Sequence, residues 1–227
     1  MGQMNTNIKR SMLAALGQFA SVNNQDHQPF FKVLTEVFSA DKDYLKKVAL
    51  LDAAFDDHSL YEPLREPFFD LLLINFLNED VRKLEEDYLD SPEWEKIEEE
   101  TMDRGTELLN LILYLQECQD EAIEPELTDF LREFLLVDED EFQDEHRIYE
   151  EVIANQILVD STLKELARVS ASIPENSELK ELFYPMIGFF RDPDPEDEEF
   201  AEFLKYSANP DFDSAVYALL ITYNNQD

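Results

Sequence analysis

Apolar residues recur at helical spacing along almost the whole chain. Ile8, Met12, Leu16 and Phe19 fall on one face. Pro29 opens PFFKVLTEVF, a segment with the same spacing, and proline suits a first helical turn. Tyr44, Leu45, Val48, Leu51 and Phe55 mark a third helix, which Asp41 is placed to cap. Residues 66–77 are apolar nearly all round, the exceptions being Glu66, Asp70 and Asn75. So little polar surface predicts a helix in the middle of a bundle. A further turn or two continues through Val81, Leu84 and Tyr88.

Ser91-Pro92-Glu93 starts the longest predicted helix, which runs to about residue 119, with Gly105 as a point of bending. Shorter helices are expected at about 125–137, 139–159, 161–173, 177–190, 195–207 and 211–224, and Pro185 should kink the one that contains it. No strand-like alternation stands out, and glycines number four. The pattern therefore predicts an all-α fold, an irregular multi-helix bundle of about ten helices in a single domain over 1–227. The alternative is a stacked helical-hairpin solenoid, suggested by three helix pairs of similar length near the C-terminus, although no repeat of fixed period aligns.

Composition changes this picture in one respect. The chain of 227 residues is 44% apolar, enough for a substantial core, yet it carries 53 acidic against 18 basic side chains, a net charge of −35. The imbalance is uneven: residues 1–50 are mildly basic at +2, and residues 51–227 are strongly acidic at −37. Such a field repels nucleic acid and anionic membranes and attracts basic proteins and cations. The near-terminal KRSMLAALGQFASV has some features of a signal peptide, but Gly17 and Gln18 break its apolar run early, so an amphipathic helix is expected there. No stretch has the length of a membrane span. The single cysteine, Cys118, allows no internal disulfide and suits a reducing, cytoplasmic setting.

Part of the acidity has a local purpose. In DPDPEDEEF, Asp194 can cap, Pro195 fits the first helical position, and the acids that follow meet the positive end of the helix dipole. Similar starts occur at Ser91-Pro92, Glu124-Pro125 and Asn209-Pro210. Glu95, Glu99, Asp103 and Glu107 have no such purpose. They recur every fourth residue and would form a stripe roughly 18 Å long on a continuous helix, with neighbouring like charges opposing one another. Glu98 and Glu100 widen it, and Asp140, Glu141, Asp144 and Glu145 form a second cluster. Apart from Glu100, these carboxylates are the candidate docking residues for lysines and arginines of a partner; a passive, solvated helix face is the competing reading.

Little in the sequence points to catalysis. Phosphate loops and nucleophile elbows require glycines that are missing, and basic–aromatic nucleic-acid surfaces are absent. A carboxylate-bridged metal site in a bundle uses Glu-x-x-His, a spacing that none of the three histidines has. Two looser pairs remain, His58 with Glu62 and His146 with Glu150, and they carry the alternative reading of a helical metal-dependent enzyme. The reading favoured by the sequence is a cytoplasmic interaction protein without cofactor that binds a basic protein partner, as an inhibitor, an immunity-type antidote or a helical chaperone would. The sequence sets no oligomeric state.

Overall fold

The computed structural model describes residues 4–79, 88, 90–135 and 148–225. Ten helices of seven or more residues build the fold, and no strand occurs among the described residues. They are α1 (Thr6–Val22), α2 (Gln28–Phe38), α3 (Tyr44–Asp56), α4 (Arg65–Asn78), α5 (Pro92–Thr101), α6 (Leu108–Glu121), α7 (Leu163–Ser170), α8 (Phe183–Arg191), α9 (Asp197–Tyr206) and α10 (Pro210–Asn224). Shorter helical pieces link them, including a 3-10 turn at Ser59–Leu64 and a π-helical stretch at Phe130–Leu135. The architecture is an all-helical bundle.

Two helices are buried almost all round. Every residue of α4 from Pro67 to Leu77 is buried, and in α10 the run Phe212–Leu220 is buried as well. The apolar faces of the remaining helices close over these two. Ile8, Met12, Leu16 and Phe19 of α1 are at most 1% exposed, as their spacing predicts. Helix α1 packs along α10 in the most extensive helix–helix contact among the described residues, while α10 also meets α6, α8 and α9, and α4 meets α1, α3 and α6. In a solenoid each repeat touches only its neighbours. Here the first long helix lies on the last, so the fold is an irregular bundle and not a stack of hairpins. Buried apolar residues from Ile8 to Tyr223 form one connected cluster.

Several local expectations are revised. Asp43, and not Asp41, caps α3: its carboxylate accepts from the Lys46 amide at 3.0 Å. Pro185 bends nothing, because α8 begins at Phe183 and places the proline in the first turn, where no amide hydrogen is needed. Helix α9 starts at Asp197, three residues beyond Asp194, so Asp194 and Pro195 precede the helix instead of opening it. The long helix predicted from residue 92 stops at Thr101 and restarts at Leu108. The expected turns through Val81 and Leu84 and the segment 139–147 lie outside the described residues.

The charge asymmetry has a structural counterpart. Lys47, whose side chain is 4% exposed, reaches from α3 to Glu79 beyond the end of α4 at 3.0 Å. Lys46 instead pairs with Asp43 one turn before it, in solvent.

Candidate docking groove

The interruption between α5 and α6 shapes the candidate site. Gly105 has φ +87°, a backbone state that favours glycine. It turns the chain so that residues 104–106 point their donors at α4. The Gly105 amide donates to Glu66 Oε2 at 2.7 Å. The Thr106 amide and hydroxyl donate to the Asp70 carboxylate at 3.1 and 2.6 Å. Glu66 and Asp70 are four residues apart on one face of α4, which is why both reach the same turn. Asp70 is fully buried, and burial raises its pKa well above the usual carboxylate range, against the opposing pull of the Thr106 hydrogen bonds.

Arg104 completes the clamp. Its guanidinium donates to Glu66 at 3.0 Å and to both oxygens of Asp52 at 3.0 and 3.1 Å, and it lies 4.8 Å from the centre of the Phe69 ring. Next to it, Arg65 donates to Asp56 at 2.6 Å, to Glu62 at 2.7 Å and to Asp52 at 3.3 Å. Two arginines thus engage Asp52, Asp56, Glu62 and Glu66.

A groove of about 630 Å³ opens between α4, α5 and the start of α6. Phe69, Leu73, Ile97 and Leu109 give it an apolar lining, and Trp94 stands against Tyr88 with ring centres 6.1 Å apart. Glu95, Glu98 and Glu99 line the same groove, and all three are exposed. Met102 borders it with 79% of its surface open to solvent.

The predicted stripe is therefore divided. Glu95, Glu98 and Glu99 stay together on α5, and Asp103 is exposed in the turn that follows. None of the four is paired with a basic side chain among the described residues. Glu107 is separated from them: it sits just before α6, accepts from Asn110 at 2.9 Å and takes the hydroxyl hydrogen of buried Tyr149. Its role is to hold the 148–149 segment on α6. Asp140, Glu141, Asp144 and Glu145 lie outside the described residues.

Three members of the alternative metal set, His58, Glu62 and Glu150, fall among the described residues. His58 uses Nδ1 in a 2.8 Å hydrogen bond with the Ala54 carbonyl and stacks on Phe30, and Glu62 is held by Arg65. Glu150 lies at the start of a separate short helix, Glu150–Ala154, and His146 lies outside the described residues. Among the described residues no three His, Cys, Asp or Glu side chains come together as metal ligands. Cys118 is buried, and burial pushes its thiol pKa up, away from the reactive thiolate.

Sequence reasoning identified the carboxylates of α5 but missed the groove beside them. The signal available was Trp94, Ile97 and Met102 interleaved with the acids, which a periodicity reading assigns wholly to the core. No helix among the described residues is long and apolar enough to cross a membrane. No protein-family profile, curated protein or solved structure matches this chain.

Proposed function

We propose that this chain is a cytoplasmic interaction protein that binds a basic protein partner through the acidic face of α5 and the turn after it. One observation carries the reading. Glu95, Glu98, Glu99 and Asp103 are exposed and unpaired with bases among the described residues, whereas the nearby acids on α3 and α4 are drawn into arginine pairs. Glu95 lies in the first turn of α5, where the helix dipole favours an acid, but Glu98 and Glu99 lie beyond it, and the like charges of Glu95 and Glu99 one turn apart oppose helix stability by a few tenths of a kcal/mol. Lysines and arginines from outside would relieve that repulsion, and the field of a −35 chain would speed their approach. The single buried thiol is compatible with a reducing compartment.

The test is co-purification from host extract across a salt series, with mass spectrometry of the captured proteins. The expected result is a strongly basic protein retained at low salt and released as salt screens the contact. Recovery of no basic protein at low salt would refute the reading.

A further inference from the structure

We infer that the groove between α4, α5 and the start of α6 seats a bulky apolar anchor of the partner, carried on a segment whose lysines or arginines flank that anchor. The inference rests on the proposed function for the charge of the partner and adds the recognition element. At about 630 Å³ the groove is within the size range of ligand-binding clefts, roughly 300–1,000 Å³. Its open apolar surface, exposed Met102 with half-buried Trp94 and Leu109 over a floor of buried Phe69, Leu73 and Ile97, would stay wet beneath a purely cationic partner. The rim of Glu95, Glu98 and Glu99 would gain nothing from a purely apolar one. The basic residue of the lining, Arg104, is engaged by Asp52 and Glu66 and does not offset the rim. An apolar side chain bracketed by cations satisfies both surfaces. Met102 at the mouth has the unbranched, adaptable side chain that suits such a contact. A second copy of this chain is a poor occupant, because two bodies of charge −35 repel one another.

Trp94 is the sole tryptophan of the chain and lines the groove, so its emission reports occupancy directly. The experiment titrates the full chain with three short synthetic peptides at low salt. One has lysines at both ends and a leucine–phenylalanine pair in the middle, one has the same lysines around glycines, and one has glutamates around the leucine–phenylalanine pair. Calorimetry gives affinity and Trp94 emission gives location. The expected result is binding of the lysine–apolar peptide about tenfold to a hundredfold tighter than the lysine–glycine peptide, from burial of the anchor. Trp94 emission should shift to shorter wavelength, and the glutamate peptide should not bind. Met102→Gln and Leu109→Gln, which leave the charge unchanged, should each remove most of the apolar increment and leave the lysine–glycine affinity within a few-fold. The melting temperature of each variant checks its fold.

Equal affinity for the two lysine peptides would overturn the groove inference and leave the acidic-capture reading standing. Failure of both lysine peptides to bind would overturn both. Binding of the glutamate peptide, or concentration-dependent dimerisation lost in Met102→Gln, would overturn the assigned occupant.

Discussion

Replacing Gly105 with alanine tests how the turn that shapes the groove is held. A side chain at φ +87° costs about 1–2 kcal/mol through its clash with the backbone. The new Cβ would also fall 2.6 Å from Asp70 Oδ1 and 3.3 Å from Phe69 Cδ1. The Asp70 carboxyl group has nowhere to withdraw, being fully buried and bonded to Thr106, so relief means stretching those hydrogen bonds. Loss of one bond to the buried carboxyl group adds about 1–3 kcal/mol. The expected destabilisation is therefore about 2–5 kcal/mol, read as a lowered midpoint in urea followed by helical circular dichroism. Gly17→Ala is the internal control. Gly17 lies within α1, and its Cβ would meet nothing closer than His27 Cε1 at 3.9 Å, so alanine there should stabilise by about 0.5–1 kcal/mol. A Gly105→Ala variant as stable as the parent would refute the account of the turn.

The same reasoning separates residues that the sequence groups together. Glu107→Ala should destabilise by about 1–3 kcal/mol, because buried Tyr149 loses its acceptor, whereas Asp103→Ala should leave the urea midpoint unchanged. Lys47→Ala should cost about 1–3 kcal/mol by removing a buried ammonium and its ion pair with Glu79, and Lys46→Ala, whose pair is in solvent, should leave the midpoint unchanged. Asp213 is pushed up to about 7 from an ordinary 3.8 by burial, against the hydrogen bond from Ser207 and with Asp211 and Glu181 adding to the rise. Its contribution to stability is complete below about pH 4 and is lost as pH rises toward 7, at about 1.4 kcal/mol for each pH unit between the two values. Asp213→Asn keeps an acceptor for Ser207 and removes the ionisation, so thermal melts should show it gaining on the parent between pH 4.5 and pH 7.5; a constant difference would contradict this.

Much of the fold was legible because it depends on local spacing. The stripe Ile8, Met12, Leu16 and Phe19 and the unbroken apolar run of α4 each determine a helix and its burial from nearby residues alone. The break at 102–107 was not legible, for a physical reason. The residues before it, EWEKIEEET, and after it, ELLNLILYL, both favour helix, and Gly105 is the sole local dissent. What decides the conformation is a pair of carboxylates, Glu66 and Asp70, more than thirty residues earlier in the chain. The same long-range effect removed Glu107 from the predicted stripe, since its partner Tyr149 lies 42 residues away. Pro185 shows a boundary error instead: spacing in SELKEL reads as helix, the structure places turns there, and the proline becomes an ordinary first-turn residue. The acids of α5 were legible as a cluster, but the groove they border forms only when α4 and α6 close beside them.

The double charge reversal Glu99→Lys with Asp103→Lys tests the central claim most directly. The new lysine at 99 stands one turn after Glu95 on α5, where opposite charges attract, and that at 103 lies in an exposed turn. The fold should therefore survive with an equal or slightly higher melting temperature. Capture of the basic partner, measured beside the melt at low and moderate salt, should be abolished, and association should slow. A variant that melts like the parent and still captures its partner with unchanged rate and affinity would show this face to be only a solvated helix surface.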